Sequence, residues 1–278
     1  MLEDNLVPED IAIACLLAAL HKRLVLIVCK QLNVAEAQIT ATLERLLNRR
    51  CTLIHASAET TWPRLAMDLK HASGTSVLIK NPDTLTTTVQ THFVDSLVRP
   101  DPSPVSLDIT TVVLLGSYDK LIRPLRQLVL FREEIDLSIE NSMLALPSKI
   151  GFQDQLVTMR AKLPGVAIIP EIARYIQDIM VFIRTNRLVK SGVSPRVSKD
   201  LELLARSICL LRDLKFITPS IISLAARKML PIKVELEDPS KEPSLQWGGD
   251  FEVAKIWFSN WNTELLIESI LETVPPPL

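Results

Sequence analysis

Apolar and polar positions in the first half of the chain alternate between two rhythms. Short runs rich in β-branched residues, Leu24-Val25-Leu26-Ile27-Val28, Thr52-Leu53-Ile54, Ser76-Val77-Leu78-Ile79 and Thr111-Val112-Val113-Leu114-Leu115, read as strands. They are nearly continuous in apolar character, so both faces of their sheet must be covered. Between them, residues 34–48 and 85–98 carry amphipathic helical spacing and are long enough to be crossover helices. The alternation predicts an α/β fold with a parallel sheet, to which residues 135–139 add a further strand. From about Lys149 the pattern becomes purely helical, and Pro147 supports a boundary between Ala145 and Lys149.

In the second half, Ile172, Tyr175, Ile176, Ile179, Met180 and Ile183 recur three and four apart and form one apolar helical face. Arg184 and Arg187 are expected in its last turn, where cations suit the helix dipole. The phrase Ser191-Gly192-Val193-Ser194-Pro195-Arg196 then reads as a stop and a restart. Gly192 suits a left-handed turn, Ser194 a cap, and Pro195 the first helical position, which places Arg196 near a helix N-terminus. Thr218-Pro219 repeats the cap-and-proline start. After a linker at 238–249, residues 251–273 read as one amphipathic helix carrying Trp257, Phe258 and Trp261. Three segments follow: 1–147, 148–237 and 238–278.

Composition narrows the class. With 278 residues, 47% of them hydrophobic and 23% charged, the chain can bury one large core or two smaller ones. A net charge of -1, from 31 basic and 32 acidic residues, gives no global attraction to nucleic acid or to an anionic membrane. Cys15, Cys29, Cys51 and Cys209 are scattered through apolar runs without metal-ligand spacing and read as buried free thiols, which points to an intracellular protein, nuclear or cytoplasmic. The apolar run Ile11 to Leu20 follows acidic residues, ends at His21-Lys22-Arg23 and is too short to cross a bilayer. A buried helix is the reading, with no membrane partner.

The block from Pro170 to Glu235 resembles the helical lid of the MoxR and magnesium chelatase branch of AAA+ ATPases, through Ser194-Pro195-Arg196 and Thr218-Pro219. The resemblance implies a P-loop NTPase core of AAA+ type followed by an all-helical lid, with Arg196 as the second sensor that reaches a nucleotide. Active members bind ATP and Mg2+, and the matching positions here have changed. The loop after the first strand, Cys29-Lys30-Gln31-Leu32-Asn33-Val34-Ala35, has no glycine and no Lys-Ser or Lys-Thr pair to cradle a triphosphate, and Lys30 reads as a solvated lysine. Lys80 and Asn81 stand where the resemblance implies a magnesium-holding aspartate and a water-activating glutamate. Asp83 reads as the cap of the following helix, and His92 as a surface or half-buried residue. Asp119 stands at the first sensor, and Glu134 at the arginine that would reach a neighbouring subunit, with Arg132 offset by two. The implied fold therefore comes without catalytic or metal-binding residues. Arg196 is the single candidate for cofactor binding, and no cofactor is expected.

Residues 174–188, Pro231 to Leu236 and the closing Val274-Pro275-Pro276-Pro277 resemble the second member of the fungal maintenance of telomere capping family. That resemblance implies a role in protecting chromosome ends without a stated biochemical activity. Three readings stay open: a non-catalytic AAA+-like adaptor or assembly protein with protein partners, an ATPase of magnesium chelatase type, and a nucleic-acid-binding protein of chromosome ends. The last draws on Arg184, Arg187, Lys190, Arg196 and Lys199 around one turn, set against nearby Asp178, Asp200 and Glu202. Trp257 and Trp261 read as core packing or as an anchor in a partner's groove.

Overall fold

A computed structural model describes residues 6–48, 50–72, 75–98, 111–137, 143–145 and 152–277. The chain groups into two compact units, Met1–Ala161 and Lys162–Leu278. The expected break around Pro147 lies outside the described residues.

In the first unit, the apolar runs become parallel strands β2 (Leu24–Cys29), β3 (Cys51–His55), β4 (Ser76–Lys80), β5 (Thr111–Leu115) and β6 (Val129–Ile135). They form a five-stranded sheet in the order β3-β4-β5-β2-β6. The register places Leu78 beside Leu53 and Val113, and Val25 beside Val113. Val25, Leu26, Ile27, Val77, Leu78, Ile79, Val113, Leu114 and Leu115 are fully buried, as strands covered on both faces require. Helices α1 (Glu9–His21), α2 (Leu32–Leu47), α3 (Trp62–His71), α4 (Thr87–Val98) and α5 (Arg123–Leu128) alternate with the strands. Helix α1 holds the expected apolar run: Ile11, Ala14, Cys15 and Ala18 are completely buried, and the small side chains of Ala14, Cys15 and Ala18 let it lie against α2 and the sheet. A short antiparallel pair joins β1 (Leu6–Pro8) to β7 (Met143–Ala145). Helix α6 (Phe152–Lys162) closes the unit, where the Arg160 guanidinium donates to the carbonyls of Leu20 and Ala19 at the C-terminal end of α1.

Three elements differ from the sequence reading. The last strand of the sheet begins at Val129 and ends at Ile135, because Val129, Leu130 and Phe131 fill the core while the charged residues after them mask the run. Helix α4 starts at Thr87, and Asp83 sits in a 3-10 turn, Pro82–Thr84, that precedes it rather than capping it. The segment 251–273 is two helices, α10 (Phe251–Ser259) and α11 (Thr263–Thr273), because the Asn262 side chain caps a new start by accepting from the Leu265 N–H at 2.7 Å.

The second unit is helical. The six apolar positions of α7 (Pro170–Thr185) are all buried. Arg184 lies in its last turn and Arg187 beyond it. Gly192 adopts φ +62, the Ser194 hydroxyl accepts from the Arg196 N–H, and α8 (Pro195–Leu211) begins at Pro195. The Thr218 hydroxyl accepts from the Ile221 N–H and opens α9 (Pro219–Lys233). Helix α11 packs on α9 and α7, and Arg227 of α9 holds Glu268 of α11 through two bonds of 2.6 and 3.0 Å.

Candidate functional site

The chain leaves β2 toward β3 on one side of the sheet and passes from β5 to β6 on the other, so a switch in direction lies at β2. In open parallel sheets, ligands bind outside the carboxyl ends of the strands at such a point. Here that edge is built by the start of α2, Lys80 at the end of β4 with Asn81 after it, Gly116 to Asp119 after β5, and the end of β6.

Lys80 ends β4 beside His55 and Leu115, and its side chain is 11% exposed. The ammonium donates to Asn33 Oδ1 at 2.6 Å and to Glu36 Oε2 at 2.7 Å, both in the first two turns of α2. A half-buried carboxylate and an amide oxygen thus converge on a cation carried by the protein itself. The arrangement offers a divalent cation no free acidic ligand, and it neutralises the ammonium toward an anion. Lys30, the residue directly after β2, is exposed, as expected.

The neighbouring turns are fixed by backbone. Asn81 takes a left-handed φ of +54, and its N–H donates to the Leu115 carbonyl at 2.8 Å. Gly116 has φ +149, and a Cβ there would meet Pro82 Cδ at 3.2 Å and Asn81 Cα at 3.3 Å. The turns after β4 and β5 therefore touch along their backbones. Asp119 accepts from the Ser117 hydroxyl at 2.9 Å and faces solvent. Arg132 is buried on β6, where its guanidinium donates to the Tyr118 hydroxyl at 2.7 Å and lies 5.1 Å from the centre of that ring. Glu134 is exposed. Gln90, which the sequence reading passed over, is completely buried: it donates to the carbonyls of Leu85 and Lys120 and accepts from the Ile122 N–H, tying the segment after Asp119 to α4. A glutamine at an otherwise apolar helical position was its signal. His92 is exposed and stacks on Trp62 with centroids 5.7 Å apart.

Arg196 sits in the first turn of α8 with its side chain half exposed, and its Nε lies 3.7 Å from Asp200 Oδ2 one turn along. The other basic residues of that region have mixed surroundings. Arg184 donates to the Val193 carbonyl and packs against Gly192, Arg187 pairs with Glu242, and Lys190 and Lys199 are exposed.

The second unit also holds a cleft of about 310 Å³ lined by Arg187, Glu242, Ser244, Val253 and Trp257. Glu242 is buried and accepts from the Ser244 N–H at 2.6 Å, from the Ser244 hydroxyl and from Arg187. These bonds, the Ser244 hydroxyl first, hold its carboxyl below the usual range. The Arg187 guanidinium lies 5.9 Å from the centre of the Trp257 ring. The sequence reading missed Glu242. Its signal was an acid-Pro-Ser phrase that occurs twice, Asp238-Pro239-Ser240 and Glu242-Pro243-Ser244, each acid accepting from the serine N–H two residues on.

Cys15 and Cys209 are buried, Cys29 and Cys51 half-buried, and all four are free thiols. Among the described residues, no three His, Cys, Asp or Glu side chains gather as a metal ion requires, and no helix is long and apolar enough to cross a membrane.

No protein-family model matches the chain. It is 33% identical over 97 residues to maintenance of telomere capping protein 2 of Kluyveromyces lactis, a match covering 33% of this chain and 35% of that one. The protein of the same name from Lachancea thermotolerans is 30% identical over 103 residues, covering 35% and 36%, and that of Saccharomyces cerevisiae S288c is 31% identical over 144 residues, covering 44% and 40%. The chain thus spans well under half the length of these curated relatives. A crystal structure from Cytophaga hutchinsonii, of a protein assigned as an ATPase, superposes with a TM-score of 0.69 over 99% of this chain and 92% of that one at 13% identity. That likeness concerns the fold alone.

Proposed function

We propose that this protein is a non-catalytic AAA+-like adaptor or assembly protein that acts in chromosome-end maintenance. Its second unit corresponds in this reading to the helical lid of the MoxR and magnesium chelatase branch. The observation that carries the proposal is Lys80 on Asn33 and Glu36. Where an active member needs a carboxylate for magnesium, this chain has an ammonium, paired with the carboxylate of Glu36. The residues at this edge do not fit a magnesium triphosphate: the loop before α2 lacks the glycines that let backbone amides approach phosphates. Arg132, bonded to Tyr118 inside its own unit, is already engaged and does not present itself to a neighbouring nucleotide. Such a protein works through the surfaces it presents. The chromosome-end role is supported by the names of the yeast relatives and by the C-terminal resemblance.

Calorimetry with ATP and Mg2+, on the wild type and on Arg196→Ala, tests the non-catalytic part. No binding heat in either is expected. Tight binding that Arg196→Ala abolishes overturns it in favour of a nucleotide-dependent enzyme. The chromosome-end part predicts that the tagged chain is enriched at telomeric over internal loci in chromatin immunoprecipitation, and equal recovery at both removes it.

A further inference from the structure

The cleft of the second unit carries more negative than positive charge. Its charged lining groups are Arg187, Glu242 and Asp250, one cation against two carboxylates. Glu242 accepts from Arg187 and from the N–H and hydroxyl of Ser244, and Arg187 is its one cationic partner among the described residues. Asp250 caps α10: its Oδ1 accepts from the Glu252 N–H at 2.9 Å, and its other oxygen has no hydrogen bond among the described residues. The rest of the wall is apolar, made by Val253, Ala254 and Trp257. Gly249 lets the loop close in, since a Cβ there would meet the Ser244 carbonyl oxygen at 2.9 Å.

Into this setting the chain already places a cation of its own. The Arg187 guanidinium rests on Glu242 and lies 5.9 Å from the centre of the Trp257 ring, at the outer limit of a cation-π contact. Its side chain is 63% exposed, so it covers these groups from the rim. About 310 Å³ stays open beside it, the small end of the range for ligand pockets.

We propose that this cleft binds a small quaternary ammonium ion, and that Arg187 is the internal cation with which the ligand competes. The sign follows from the lining: an anion would face two carboxylates, whereas a cation gains from both and from the negative face of the indole. The chemical class follows from hydration. A bare ammonium is compact, strongly hydrated and needs acceptors for three N–H groups, which a wall of Val253, Ala254 and Trp257 does not supply. A charge sheathed in methyl groups buries those methyls against the same wall and asks for no hydrogen bonds.

Choline and its uncharged carbon isostere, dimethylbutanol, share a shape and differ in charge, which makes them the test pair. Each is titrated into the full chain while the indole N–H of Trp257 is followed by NMR, its signal assigned by its loss in Trp257→Leu. Choline is expected to shift that signal with a Kd on the order of 1 mM, and dimethylbutanol to bind roughly tenfold more weakly. Asp250→Asn keeps a capping oxygen and removes the charge, so it should weaken choline binding by roughly fivefold while thermal unfolding stays unchanged. Arg187→Ala frees Glu242 and the ring and should tighten choline binding by roughly tenfold. Arg187→Gln, which retains a donor for Glu242, should fall between, and it keeps the comparison available if the alanine variant unfolds. An indole signal that choline leaves unmoved in the wild type and in the Arg187 variants overturns the site. Equal binding of choline and dimethylbutanol, or a preference for the anionic dimethylbutanoate, overturns the assignment of a cation. Arg187 variants that bind choline no more tightly than the wild type overturn the competition.

Discussion

Lys80, at the end of a strand, and Glu36, in a helix 44 residues earlier, meet at 2.7 Å beside the point where the sheet changes direction. The pair joins β4 to α2 with a cation that belongs to the chain.

Its two members should not be equivalent. The Lys80 side chain is 11% exposed and that of Glu36 21%. Glu36→Ala leaves the more buried charge with one amide oxygen, which is expected to cost about 2–3 kcal/mol. Lys80→Met keeps the apolar stem and lets the glutamate rehydrate, at about 1 kcal/mol or less. Urea denaturation of the two variants checks the order, and a greater loss in Lys80→Met would contradict it.

Gly116 is the second point of sensitivity. Gly116→Ala combines a φ of +149 with contacts of 3.2 and 3.3 Å to Pro82 and Asn81, and the neighbours are a ring and a backbone atom that yield little. A loss of about 2 kcal/mol is expected, read from the same denaturation curves.

His21 should make stability fall on the acid side of neutrality. Burial, with Arg23 and Arg160 nearby, lowers its pKa from 6.5 to about 4. The unfolded chain therefore binds a proton that the folded one refuses between these two values. Stability drops as pH falls from 6.5 toward 4, by up to about 3 kcal/mol, and levels off below. His21→Gln should flatten that part of the stability profile while leaving carboxylate effects in place.

Glu242 has the opposite bookkeeping. Its folded pKa is depressed, so its contribution is complete above the ordinary glutamate range and is lost only as pH falls through the lowered value. Arg187→Ala removes one of the bonds that depress it, so the loss should still begin in the ordinary glutamate range but end at a higher pH and be smaller in total. Because the guanidinium lies over Trp257, tryptophan fluorescence during acid titration reports the change.

The apolar code made the parallel strands and the face of α7 legible, since Leu26 and Ile179 have no alternative to burial. It also placed the turn at Gly192 and the caps at Ser194 and Thr218, where local chemistry decides. It missed what depends on distant partners. Val129 starts a strand because β2 is waiting beside it, yet the charges of Arg132, Glu133 and Glu134 disguise the run. The break at Asn262 turns on a single cap inside a pattern that otherwise keeps its period. At the site, the sequence identified Lys80 as the wrong charge for magnesium, but its partners Asn33 and Glu36 lie in another element and became visible only with the fold.

The strand order also sets a timetable. β2 is the first strand of the sheet to be synthesised, and its ladder partners, β5 and β6, are the last two. Leu24 to Cys29 therefore has no native hydrogen-bonding neighbour until residues 111–135 have been synthesised. For most of the first unit's production, this interior strand of its sheet is an unpaired apolar strand with two open edges. A chain stopped before Val129 would keep one of those edges exposed for good, which makes the first unit an all-or-none product of translation.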